Sequence, residues 1–207
     1  MILELKQTAT GFLSQFDLFD LSVVGKKIRF GMATVVPKGQ QRAIVLNMQN
    51  HIYRLTPTDI SIPTYTVSTL GEDVGELCAN GAYPSMIEGP RQLPVSNVHT
   101  LFWRGREYTI TEIPVKNEGL YYQIVADDGE TVAIIERGTL VSNEKDCFIA
   151  CIDRDSAVAM VASAMAYLDI ATIDFTRNDT IPHYALKLQN NDYSSSLDRA
   201  FLAKYTS

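Results

Sequence analysis

Residues 156–168 read Ser156-Ala-Val-Ala-Met-Val-Ala-Ser-Ala-Met-Ala-Tyr-Leu168. The stretch holds no charge, no glycine and no proline, and alanine and methionine are strong helix formers. Val158, Val161, Met165 and Leu168 fall along one helical face, and Met160, Ala164 and Tyr167 along another. A helix apolar on every side must be buried on every side. At ~1.5 Å per residue the segment spans about 20 Å, short of a bilayer core of ~30 Å. No run in the chain reaches the ~18 apolar residues of a spanning helix. Just upstream, Asp153, Asp155 and Ser156 are placed to accept from the first free amides of the helix. A single helix is enclosed only by several packed helices or by a closed or strongly curved sheet.

The rest of the chain supplies strands. Thr131–Arg137 and Leu120–Ala126 flank Asp127-Asp128-Gly129-Glu130, and an Asp-Gly turn between alternating apolar runs is a strong hairpin signal. Val98–Trp103 and Glu107–Ile113 pair around Arg104-Gly105-Arg106. Asp146–Ile152 and Gly138–Val141 read as further short strands. Upstream, Lys26–Val36 alternates with period two, Arg42–Met48 and His51–Leu55 form a hairpin around Gln49-Asn50, and Ile60–Leu70 is rich in β-branched residues. The expected class is therefore mainly β (α+β), a curved sheet or β-barrel enclosing the helix Ser156–Leu168. It forms a single domain over 1–207. Phe12, Leu13, Phe16 and Phe19 lie near helical spacing, so 1–22 is expected as a short amphipathic helix or an irregular arm. Residues 71–96, broken by Gly71, Gly75, Gly81, Pro84, Gly89, Pro90 and Pro94, read as a long connection with short pieces of structure. Residues 176–207 read as an extension, with Leu197, Phe201 and Tyr205 marking a short terminal helix that docks by one face.

Composition bounds the function. Hydrophobic residues make up 46% and charged residues 20%, ordinary values for a folded domain. The 24 acids outnumber the 18 lysines and arginines, a formal charge of −6, which gives no general attraction to nucleic acid. The start, Met1-Ile-Leu-Glu-Leu-Lys-Gln7, carries an early acid and no apolar core of a signal peptide. Cys78, Cys147 and Cys151 are too few and odd in number for a disulfide framework. A cytoplasmic protein is expected.

Candidate chemistry is sparse. Cys147 and Cys151 share one strand face, and with His51, His99 and His183 scattered they read as structural thiols, not metal ligands or nucleophiles. Asp127 and Asp128 sit where a turn favours aspartate. No phosphate loop, dinucleotide fingerprint or His-Glu metal motif occurs, so no cofactor or metal is expected. Two basic clusters remain, Lys26, Lys27 and Arg29, and Arg104 and Arg106, either of which suits a phosphate or an acidic partner.

From about Val98 to Phe175 the order of features resembles the tubby-like superfamily, in its LURP-one-related and scramblase-like branch. The hairpin Ala126-Asp-Asp-Gly-Glu-Thr-Val-Ala-Ile-Ile135 comes first, then the strand Cys147-Phe-Ile-Ala-Cys-Ile-Asp153, then an acidic lead into Ala157–Leu168. The resemblance implies a β-barrel threaded by an apolar C-terminal helix, and phosphoinositide or other lipid recognition in some members. No lipid-binding motif of the family transfers to named positions here, and the tail after Phe175 departs from its pattern. The leading expectation is a non-enzymatic binding or scaffold module recognising lipid headgroups or another anionic partner. The alternative is a small-molecule enzyme with its site in the 71–96 connection.

Overall fold

The computed structural model describes residues 1–9, 14–38, 41–59, 64–80, 98–138, 147–172 and 193–205. Twelve strands occur in them: β1 Ile2–Ala9, β2 Gln15–Asp20, β3 Ile28–Lys38, β4 Gln41–Met48, β5 His51–Asp59 and β6 Thr64–Thr69. β7 Glu72–Asn80, β8 Val98–Trp103, β9 Arg106–Val115, β10 Gly119–Ala126, β11 Thr131–Arg137 and β12 Cys147–Ile152 complete the set. Each pairs antiparallel with its neighbours in sequence, and β1 pairs with β12, so the sheet closes into a barrel. At the seam Leu3 stands opposite Ala150 and Leu5 opposite Phe148, while the Met1 ammonium donates to the Ile152 carbonyl at 2.8 Å.

Alternation sorts the side chains. Leu3, Leu5, Leu18, Leu46, Leu55, Val67, Leu77, Leu101 and Ile124 point inward and are fully buried. Barrels of about eight strands are filled by side chains alone. Twelve strands at ~4.8 Å spacing and ~40° tilt leave roughly 24 Å between walls, beyond the ~10 Å that facing side chains bridge. The helix α1, Val158–Thr172, occupies that space. Its neighbours β1, β4, β5, β7 and β12 lie on different sides of the ring, and from Met160 to Ile170 every residue is buried. A helix laid on the outside would touch one sector and leave a face in water. Val158, Met160, Val161, Met165 and Leu168 have 6, 1, 0, 0 and 0% exposure, as uniform apolarity predicts. Polar groups inside are held: Ser163 Oγ donates to the Ala159 carbonyl at 2.8 Å, and the Tyr167 hydroxyl meets His99 Nδ1 at 3.0 Å.

Outside, the C-terminal segment covers β9, β10 and β11. Leu197 and Phe201 pack on Ile113, Val115, Tyr121 and Ile134. Asp198 caps the short helix α2, Arg199–Ala203, by accepting from the Phe201 amide at 2.9 Å, and Thr131 Oγ1 donates to its carboxylate at 2.9 Å. This explains why β10 is buried on both faces over its first four residues.

Three expectations are corrected. The described part of residues 1–22 is neither helix nor arm, because Ile2–Ala9 and Gln15–Asp20 supply β1 and β2, which close the barrel; Phe12 and Leu13 lie outside the described residues. The 71–96 stretch contains the regular strand β7, with Gly71 at a turn of positive φ. Gly75 sits where a Cβ would meet the Phe102 carbonyl at 2.6 Å. The helix lead also differs: a 3-10 turn, Asp155–Ala157, precedes α1, and its first cap residue, Arg154, makes no side-chain capping bond. Residues 139–141 of the strand expected at Gly138–Val141, residues 81–96 of the expected connection and residues 176–192 of the expected extension lie outside the described residues.

Replacing a buried aliphatic or methionine side chain by alanine costs ~2–5 kcal/mol. Met165→Ala is expected to lower unfolding free energy by that amount in urea denaturation, and Val161→Asp by more, since the new charge has no partner. The exposed control Lys116→Asp stays within about 0.5 kcal/mol of the parent. Tyr167→Phe removes the bond to His99 and costs ~1–3 kcal/mol in the same assay.

Candidate functional site

Because consecutive strands are antiparallel, the β2–β3, β4–β5, β6–β7, β8–β9 and β10–β11 turns share one end of the barrel. β12 also finishes there, so α1 enters from this apical end. All five basic residues singled out in the sequence lie on its rim, but the fold keeps the two clusters apart. Lys26 and Lys27 occupy the β2–β3 turn and Arg29 opens β3, while Arg104 and Arg106 flank the β8–β9 turn.

Neighbouring carboxylates occupy most of these charges. Lys27 pairs with Glu4 and lies 4.2 Å from the Phe19 ring centre, and Arg29 pairs with Asp17 at 2.6 Å. Arg106 reaches Asp127 at 2.8 Å and Asp128 at 3.0 Å. Among the described residues, Lys26 and Arg104 make no side-chain ion pair or hydrogen bond.

Arg104 borders a cavity of about 240 Å³ between the β8–β9 turn, the β10–β11 turn and the start of α1. Trp103, Tyr108 and Met160 supply its apolar wall, and Arg106, Arg154 and Ser156 its polar rim. Arg154 pairs with Glu130 across the opening. Sequence reading missed Arg154 because its Asp-Arg-Asp setting was read only as a helix lead; a cation at the strand-to-helix junction was the available signal. Trp103 fits beneath the turn because Gly75 opposite has no side chain, and Arg104 is fixed by its amide, which donates to the Val74 carbonyl at 2.8 Å.

Nucleophilic and acid–base chemistry finds little support among the described residues. His99 faces the interior on β8, bonded to Tyr167, whereas Cys147 and Cys151 alternate with the inward residues of β12 and point outward. Burial, then the Glu4 carboxylate, push the Cys147 thiol up to about 11, and burial raises Cys78 and Cys151 as well. His51 lies exposed at the rim beside Tyr53. The Asp127–Asp128 pair performs turn chemistry: Asp128 accepts from the Glu130 amide at 3.1 Å, and that bond together with Arg106 holds its carboxyl below the usual range. No group of three His, Cys, Asp or Glu among the described residues has the arrangement of a metal site.

At pH 8 a thiol titrating near 11 instead of 9 holds about 100-fold less thiolate, the reactive form. Cys147 is expected to react with iodoacetamide about 100-fold more slowly than a free thiol, with the rate still climbing above pH 9; peptide mass mapping reads this out. Compared with protein-family models and with curated proteins, the sequence matches neither a family nor a relative.

Proposed function

We propose that the protein is a non-enzymatic binding module that docks by its apical end on an anionic lipid surface. One observation carries this reading. Among the described residues, every exposed large hydrophobic side chain, namely Val23, Val24, Ile28, Ile52, Leu70 and Phe102, lies in or beside an apical turn. Two of them crown turn tips with almost nothing around them, Val24 at 98% and Leu70 at 94% exposure. Lys26 and Lys27 follow directly behind Val24.

Isolated exposed apolar residues need no explanation, but a set confined to one end does. Protruding tips of this kind fit a medium that closes around them, such as the boundary between headgroups and acyl chains, about 5–10 Å deep. Burying a valine or leucine there contributes ~1.5–3 kcal/mol, and each lysine near an anionic surface ~1 kcal/mol. Asp127, Asp128, Glu130, Asp153 and Asp155 lie further round the rim and are repelled by such a surface. The module therefore meets the bilayer tilted, on the side bearing β2 to β6, with the exposed acids Glu72 and Asp73 behind the Leu70 tip at the margin of the contact. Among the described residues no helix is long and apolar enough to cross a membrane. The tubby-like assignment belongs to the same proposal, supported by the closed barrel, the enclosed helix and their order in the chain.

Vesicle flotation tests the reading. The protein is expected to float with phosphatidylcholine vesicles containing phosphatidylserine at low salt. Val24→Asp and Leu70→Asp are each expected to reduce the bound fraction by about tenfold or more without changing the far-ultraviolet circular dichroism. Lys26→Glu removes most of the difference made by phosphatidylserine. Absence of flotation, or equal flotation of all variants, rejects the proposal.

A further inference from the structure

We propose that the apical cavity is a binding site for a small organic anion, its phosphate or carboxylate head held by Arg104 and its flat apolar body laid against Trp103, Tyr108 and Met160. This site stands on observations separate from the exposed crest and does not depend on lipid docking.

Three features converge on it. The first is the wall. Trp103 and Met160 are buried at 5% and 1% exposure, so the floor is fixed by the packing of β8 and α1. The volume of about 240 Å³ holds about eight waters at ~30 Å³ each, which suits a ligand of roughly ten heavy atoms.

The second is charge. Three guanidinium groups border the cavity, and two are already neutralised, Arg106 by Asp127 and Asp128 and Arg154 by Glu130. Arg104 is left as the uncompensated cation, as no described carboxylate pairs with it. A guanidinium presents its donors as a planar fork that matches a phosphate or carboxylate with two parallel bonds. The three acids keep the ligand's charge at the Arg104 side and disfavour a body that is itself anionic.

The third is backbone geometry. Arg104 has φ of 48° and is followed by Gly105 at 79°, a turn in which asparagine or glycine is the unstrained choice. Arginine is held at this costly position on the cavity lining, with no side-chain ion pair or hydrogen bond among the described residues. Conformational strain maintained without an internal reward marks positions where binding supplies it.

Trp103 is the only tryptophan, so its fluorescence reports the site directly. Phenyl phosphate is the probe, with inorganic phosphate and phenol as its two halves. Saturable quenching by phenyl phosphate is expected, with inorganic phosphate at least about tenfold weaker and phenol alone weaker still. Arg104→Ala is expected to weaken phenyl phosphate about tenfold or more, a charge-assisted pair being lost. Arg104→Lys restores part of that loss. Ser156→Phe, at an exposed position on the rim, blocks the cavity and abolishes the quenching while thermal melting stays at the parent temperature. Calorimetry on the same variants separates binding from optical artefacts. Soluble dihexanoyl phosphatidic acid and phenyl phosphate compete for one site; tighter binding of the former assigns the head to a lipid, and of the latter to a free metabolite. Equal affinity of inorganic and phenyl phosphate overturns the apolar half of the proposal. Unchanged binding in Arg104→Ala, or no saturable quenching, overturns the whole. Val24→Asp leaves every one of these values intact, so failure of vesicle docking and failure of this site are read separately.

Discussion

A ring of twelve strands leaves a lumen that inward side chains alone do not close, and α1 carries no charge from Val158 to Leu168 because that stretch fills the lumen, with Asp169 following as a buried carboxyl. The small side chains of Ala162, Ala164 and Ala166 let the barrel wall approach, and Tyr167 carries the one long polar tip, which meets His99 on β8. Tyr65 lies edge-on to the same ring at 5.7 Å between centres, fixing its orientation. Strand alternation, seam closure and the apical entry of the helix all serve this packing. Among the described residues no other element could substitute for it, since α2 is five residues long and packs on β9, β10 and β11 from outside.

A filled interior has a consequence for function. Barrels that bind ligands commonly do so in the lumen or its mouth. Here the lumen holds α1, so the interior offers no such space. The apical rim is built from short turns and the helix entrance, elements anchored on rigid strands. That arrangement positions side chains on a fixed frame. It also explains why charged residues at this end are so often paired across strands: Lys27 with Glu4, Arg29 with Asp17 and Arg106 with Asp127 each tie neighbouring elements of the ring. Pairs this exposed contribute ~0–1 kcal/mol each, so they shape the surface more than they stabilise it.

The helix was legible because no face of residues 156–168 is polar, and the β10–β11 hairpin because Asp128-Gly129 sits between alternating runs. β1 and β2 were not. Phe16 and Leu18 obey period two, but Phe19 stands half-buried on the other face, and the aromatic spacing then imitates a helix. β7 was hidden by Gly71 and Gly75, which locally read as breaks; one makes a turn and the other admits Trp103, a reason visible only once β8 lies alongside. At the site, Arg104 and Arg106 were recoverable from local spacing. Arg154 was not, because its partner Glu130 belongs to a different turn and the two meet only when β12 closes against β11. Long-range closure, more than local propensity, is what sequence reading failed to supply.

Backbone strain separates the two ends of the molecule. Four non-glycine residues have positive φ: Gln49, Leu70, Arg104 and Asn117, counted among the described residues. Asn117 is at the end opposite the apical turns, and asparagine is the residue that tolerates this conformation by bonding its own backbone. The other three are apical, and none is asparagine, aspartate or glycine. Each costs of order 1 kcal/mol relative to those residues. Leu70 recovers nothing through packing, with 94% of its surface exposed, and Arg104 recovers nothing through a described ion pair. Stability alone would select asparagine at both, as at residue 117. A side chain that is apolar at one tip and cationic at the other, each set in an unfavourable conformation at the same end of a rigid barrel, is accounted for when both contact something outside the chain.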